Sequence, residues 1–228
     1  MIPLKDNIPE QRVSFVNAAL IGLNVAVFIY LLFHGRRQDS FLFAIYSLIP
    51  AKIASGPAFH ISLSQRTIPF FSYMFLHGSW LHLLGNMWSL WIFGDNVEDR
   101  LGHLRYLLFY LLCGVAAACL HVLLNFGSRL PAVGASGAIA GVMGAYFVLY
   151  PRARILTLIP LLLIFPVIEI PAYVFLGAWF FIQFANAFFE FFSGAKALAG
   201  IAWWAHVGGF VAGIVLLRLL GGRLKGRR

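Results

Sequence analysis

Apolar residues in this chain gather into long uninterrupted runs, with polar residues confined mainly to the gaps between them. Runs over residues 15–33, 79–96, 104–124, 136–150, 171–192 and 201–220 come close to the ~20 residues a helix needs to cross a bilayer. The pattern predicts an all-α polytopic membrane protein, a single domain (1–228) built as a six-transmembrane-helix bundle. No internal repeat is visible, which leaves a transporter built from inverted repeats with little support. Two stretches depart from the pattern. Residues 34–72 form a long outer loop whose short apolar patches, 41–51 and 59–63, are broken by Pro50, Gly56 and Pro57. Pieces that short are expected to lie in the interface as amphipathic segments. The apolar stretch 155–168 is interrupted by Pro160 and Pro166 and reads as a membrane-hugging connection on the opposite face.

Composition strengthens the bilayer reading. The chain is 61% hydrophobic and 11% charged, with a mean hydropathy of +0.85, where soluble domains run nearer half apolar and a quarter charged. A net charge of +9 raises the question of a nucleic-acid partner, but the basic residues segregate by side. With six spans both termini fall on one face. That face carries Lys5, Arg12, Arg100, Arg105, Arg152, Arg154, Arg218, Arg223, Lys225, Arg227 and Arg228. The other carries Arg36, Arg37, Lys52, Arg66, Arg129 and Lys196. The excess follows the positive-inside tendency, places both termini in the cytoplasm, and makes the lipid bilayer, not nucleic acid, the partner of the basic tail. The first run is too long, and its flank (Asp6, Glu10) too acidic, for a cleaved signal peptide, so it reads as a retained helix. The expected location is a bacterial inner membrane. Cys113 and Cys119, six residues apart in the third run, read as packing residues and not as a disulfide.

The polar residues inside the runs carry the chemistry. Ser136 stands 16 residues from Arg152, His82 13 from Asp95, and His206 12 to 17 from Arg218 and Arg223, or about 24, 20 and 18–26 Å at ~1.5 Å per residue. All three distances count from the same face, so the side chains fall at similar depth. The fourth run is too short to cross fully and must begin inside the membrane, where unpaired N–H groups require a wet cavity. A serine attacks a carbonyl only when a neighbouring base takes its proton. Gly134-Ala-Ser136-Gly137 opens the fourth run, and Gly137-xxx-Gly141 and Gly209-xxx-Gly213 have the small-residue spacing that lets helix backbones touch. Either motif alone reads as a packing device. Together, at matched depth and with a histidine that is expensive to bury idly, they read as nucleophile and base.

Position 138 is alanine and no strand precedes Ser136, so the nucleophile elbow of soluble hydrolases is excluded. Asp6, Asp39, Asp95 and Asp99 lie in flanks or loops, which predicts a Ser-His dyad without a carboxylate and excludes a paired-aspartate protease. His82 and Asn86, at i and i+4, share a helix face as candidate donors to an oxyanion beside the backbone N–H of Ser136. The alternative is an interhelical hydrogen-bond pair that glues the bundle. A metal held by His77, His82 and His206 lacks a cysteine or carboxylate to complete its ligands, so neither metal nor cofactor is expected.

His82-xxx-Asn86, Gly134-Ala-Ser136-Gly137 and Ala205-His206-Val-Gly208-Gly209, in this order and in these runs, resemble the rhomboid intramembrane serine proteases. The resemblance covers about residues 15–220, and Asp95-Asn-Val-Glu98-Asp-Arg100-Leu-Gly102 is similar to the family's turn between the second and third spans. It implies Ser136 as nucleophile, His206 as base, His82 and Asn86 as oxyanion-hole donors, and no cofactor. It also implies cleavage of transmembrane protein substrates near the outer face. Two positions depart from the family pattern. Many relatives carry Trp-Arg before the histidine matching His77, where this chain has Ile68 and Pro69; some stack an aromatic ring on the base, where this chain has Ala140. His206 must then be oriented by another group.

The fifth run holds Tyr173, Phe175, Trp179, Phe180, Phe181, Phe184, Phe188 and Phe189, read either as lipid-facing bulk or as a loosely packed gate for a substrate helix. The sequence thus predicts a serine endopeptidase acting on peptide bonds in or near transmembrane segments. The competing reading is a non-catalytic membrane-helix-binding chaperone or adaptor of the same fold, with a small-solute transporter third. Nothing in the sequence sets an oligomeric state.

Overall fold

The computed structural model describes residues 1–34, 41–55, 62–161, 164–193 and 201–220. Arg36, Arg37, Asp39, Gly56, Pro57, Phe59, Lys196 and the basic tail with Arg223, Lys225, Arg227 and Arg228 lie outside the described residues. The chain opens with strand β1 (Ile2–Asp6) and helix α1 (Phe15–His34). Short helices α2 (Phe41–Tyr46), α3 (Pro50–Ala54), α4 (Leu63–Thr67) and α5 (Pro69–Ser72) follow, then a 3-10 turn (Tyr73–Phe75). Next come α6 (Trp80–Leu101), α7 (His103–Leu124), α8 (Ser136–Leu149), strands β2 (Arg154–Leu158) and β3 (Val167–Pro171), α9 (Ala172–Ser193) and α10 (Trp203–Leu220).

Among the described residues, α1, α7, α9 and α10 are the helices long and apolar enough to cross a membrane. α6 has the length, but its last turns carry Asp95, Glu98, Asp99 and Arg100. α8 is apolar but has only 14 residues, about 21 Å at ~1.5 Å per residue against a hydrocarbon core of ~30 Å. This short helix is the centre of a polytopic helical bundle. α6, α7, α9 and α10 all pack on it, and every residue from Gly137 to Tyr146 is buried. A helix apolar on all faces is what a position with neighbours on all sides requires.

α6 continues past the predicted end of its run, and one of the charged residues there, Glu98, is held by the neighbouring helix. The Glu98 carboxylate is buried and accepts the N–H groups of Val16 (3.1 Å) and Asn17 (2.7 Å). These belong to the first turn of α1, where no intrahelical acceptor exists, so Glu98 caps the neighbouring helix. His103 Nδ1 lies 2.6 Å from the same carboxylate. Gly102, with φ of +79°, then ends α6, and α7 starts at the following residue.

The stretch 155–168 carries strand at both of its ends. β2 pairs antiparallel with both β1 and β3 in a three-stranded sheet. Ile155 and Thr157 are fully buried while their neighbours are not, the period-two alternation of a sheet with one covered face. Pro160 and Pro166 stand between the strands, outside the paired segments. The sheet is fastened to the helices through Asp6, whose carboxylate accepts the Tyr146 hydroxyl and the Asn96 amide (3.0 Å). Burial pushes the Asp6 carboxyl above its ordinary pKa, with the Tyr146 hydrogen bond opposing. This anchor grips the far end of α8 from Ser136. At the near end the stretch that holds α2 and α3 docks on the segment leading into α8. Leu48 and Ala132 exchange backbone hydrogen bonds (3.0 and 2.8 Å), and Ala51 N–H donates to Ser128 (2.9 Å).

Candidate active site

α8 and α10 run parallel with their backbones in contact. A Cβ at Gly209 would collide with the Gly137 carbonyl oxygen, one at Gly213 with the Gly141 carbonyl, and one at Gly144 with the Phe210 carbonyl. Gly141 also faces Cys113 of α7, where a Cβ would overlap the thiol side chain. Glycine at these positions removes the side chains that would otherwise hold the helices apart. The register of that contact sets the first turn of α8 beside the first turn of α10, and Ser136 Oγ lies 2.8 Å from His206 Nε2. Ser136 begins α8, so the helix directs its unpaired first N–H groups and the positive end of its dipole toward the same place.

The loop before Ser136 is shaped to admit two side chains of α6. Gly134 has φ of +120°, in the region that favours glycine, and its N–H donates to the Tyr73 carbonyl (2.9 Å). A Cβ there would stand 2.6 Å from His82 Nε2 and 3.4 Å from Asn86 Nδ2, so both α6 groups abut the Gly134 backbone. Asn86 Nδ2 lies 3.0 Å from His77 Nε2. Burial, and secondarily the neighbouring His82 imidazole, push His77 down to about 4, so the ring is neutral at physiological pH. Because an amide nitrogen only donates, His77 Nε2 is the acceptor, which leaves the second Asn86 N–H for another partner. A cavity of about 800 Å³ reaches this constellation; Ser79, His82, Asn86, Pro131, Ser136 and His206 are among its lining residues. Among the described residues no three His, Cys, Asp or Glu side chains converge as metal ligands.

One residue of the site was missed in sequence. His206 Nδ1 lies 2.9 Å from Gln183 Oε1, and the Gln183 amide nitrogen donates to the Trp179 carbonyl (3.1 Å). A carboxylate is the usual group behind a catalytic histidine, but an amide oxygen accepts from the same nitrogen. The available signal was Gln183 itself, one of three polar side chains with Asn186 and Glu190 in the apolar fifth run, where an unpartnered amide is costly. The aromatic residues of that run divide. Trp179 lies 5.8 Å from the His206 ring and Phe180 stacks on Phe210 at 4.7 Å, whereas Phe181, Phe188, Phe189 and Phe192 are exposed.

Comparison with known proteins places these features in context. A family model described as the Rhomboid domain matches residues 64–223. "Rhomboid protein 1, mitochondrial" of Saccharomyces cerevisiae is 31% identical over 150 residues, covering 62% of this chain and 38% of that protein. "RHOMBOID-like protein 6, mitochondrial" of Arabidopsis thaliana is 42% identical over 72 residues, covering 32% of this chain and 23% of that protein. "Presenilin-associated rhomboid-like protein A, mitochondrial" of Danio rerio is 33% identical over 100 residues, covering 42% and 26%. The chain therefore spans well under half the length of these curated relatives. The printed names of these relatives are mitochondrial, which overturns the bacterial inner membrane expected for this multi-pass protein.

Proposed function

Since the chain belongs to the rhomboid family, we propose that it is an intramembrane serine endopeptidase that cuts transmembrane protein substrates with Ser136 and His206 as its dyad. The observation that carries this reading is the 2.8 Å approach of Ser136 Oγ to His206 Nε2 in a cavity flanked by further hydrogen-bond donors. His206 Nε2 takes the hydroxyl proton as Oγ attacks the scissile carbonyl carbon. The negative charge that develops on the carbonyl oxygen is met by the Ser136 backbone N–H, the free Asn86 N–H and His82. Collapse expels the amine, which receives the proton from His206, and leaves an acyl ester on Ser136. Water entering the cavity, deprotonated by His206, hydrolyses that ester and restores the serine. A substrate helix must unwind locally, because its carbonyls are hydrogen-bonded along the helix; weak helix formers near the cut site favour cleavage.

The test compares purified wild type with Ser136→Ala on a labelled single-span substrate in liposomes. Cleavage by wild type alone, with both proteins equally folded, is the expected result. Equal cleavage overturns the reading, and tight binding without cleavage by both proteins moves it to a non-catalytic helix binder. The oxyanion assignment has its own measure. Asn86→Ala is expected to lower kcat by about a hundredfold, the usual effect of losing one such donor, with little change in KM.

A further inference from the structure

We infer that Gln183 is a positioning residue for His206, standing where a carboxylate stands in a serine-protease triad, and that through it α9 fixes the tautomer and orientation of the base. The inference rests on the serine-protease reading above. Either end of a glutamine amide could face an imidazole, so what matters is which end is held elsewhere. Here the nitrogen is committed to the Trp179 carbonyl at 3.1 Å, one turn back on α9, and the oxygen is left toward His206 Nδ1 at 2.9 Å. An amide oxygen only accepts, so Nδ1 carries the hydrogen and Nε2 carries the lone pair. Nε2 is the atom 2.8 Å from Ser136 Oγ. The other tautomer would set two acceptors against each other at Nδ1. A continuous chain of hydrogen bonds therefore runs from the Trp179 carbonyl through Gln183 and His206 to the serine.

Two features make this arrangement specific. Gln183 is 6% exposed, so little room is left for water to replace it. The His206 ring also neighbours two indoles, with Trp179 at 5.8 Å and tilted by 36°, and Trp203 at 6.2 Å and edge-on at 89°. Together these contacts supply the orientation that Ala140 cannot. A neutral amide does the orienting work without placing an ionised group among apolar helices, where its desolvation would be expensive. The titratable groups that act on His206 from the other packed helices are His82 on α6 and His121 on α7.

The experiment measures kcat and KM across pH for wild type, Gln183→Leu and Gln183→Glu on the labelled single-span substrate in liposomes, with Ser136→Ala as baseline. Gln183→Leu is expected to lower kcat about tenfold and leave KM in place, as for one lost hydrogen bond behind the base. Gln183→Glu, which keeps an acceptor at Nδ1, is expected to recover activity above the leucine variant. Its carboxylate favours the imidazolium, so the acid limb of its kcat profile moves about one unit toward higher pH. Wild-type kcat in a folded Gln183→Leu variant overturns the inference, as does a loss confined to KM. If the leucine variant does not fold, the glutamate profile decides, and an unshifted acid limb counts against the inference. Wild-type cleavage no faster than Ser136→Ala removes the underlying protease reading, whereas serine-dependent cleavage indifferent to Gln183 removes only this inference.

Discussion

His206→Ala is expected to slow cleavage of a single-span substrate by about 10⁴-fold or more, and adding Ser136→Ala is expected to slow it no further. A serine hydroxyl is a weak nucleophile unless its proton has somewhere to go. The atom placed to take that proton is His206 Nε2, 2.8 Å away. Truncating the histidine leaves Ser136 intact but inert, and truncating the serine leaves the base with nothing to activate. Each single change therefore removes the whole unit, and the double change has nothing more to remove. What survives is the contribution of Asn86, His82 and substrate binding, common to all three variants. The check is single-turnover kinetics on the three variants, with unfolding midpoints to show that α8 and α10 remain packed. A double variant much slower than His206→Ala would mean that the two side chains act independently, and the dyad would have to be abandoned.

How far the chain could be read in advance differs from element to element. The helical bundle was visible because runs of apolar residues leave a segment no other way to satisfy its backbone in lipid. The central place of α8 was also implicit, since a helix without a polar face needs neighbours all round, and Gly137 to Tyr146 are all buried. The close approach of Ser136 and His206 follows from glycines on two facing helices, a signal that survives in sequence because no other residue tolerates backbone contact. Glu98 was not readable in the same way. A carboxylate ordinarily marks the end of a span, and only the fold reveals that this one caps α1. The sheet was hidden because its strands are short, and the one alternation that marks a covered face, buried Ile155 and Thr157 among less buried neighbours, exists only in the fold. Gln183 was not legible as the partner of His206 because charge is the signal that usually marks such a group, whereas orientation needs only an acceptor. The bacterial location rested on the shortness of the chain and on no residue pattern, and the names of the mitochondrial relatives overturn it.

Gly209→Ala is expected to destabilise the protein by about 3 kcal/mol, at the upper end of ordinary overpacking, and to lower kcat about a hundredfold. The added methyl would meet the Gly137 carbonyl oxygen and carbon, and neither is the movable tip of a side chain. The helices must separate, and they separate one turn from His206 and beside Ser136, where a shift of about 1 Å suffices to spoil a proton transfer. Gly213→Ala collides with the Gly141 carbonyl one turn further on. It is expected to cost similar stability but less turnover, because the helices can pivot there and keep their first turns together. Gly22→Ala on α1 is the control: nothing lies within 4 Å of its added Cβ, and relief of glycine's backbone entropy leaves it neutral or more stable by up to about 1 kcal/mol. Unfolding midpoints in detergent and kcat in liposomes separate the three. If Gly209→Ala keeps both its midpoint and its turnover, the backbone contact does not set the serine–histidine distance. If Gly213→Ala loses as much turnover as Gly209→Ala, the contact acts on the bundle as a whole, without a graded effect on the dyad.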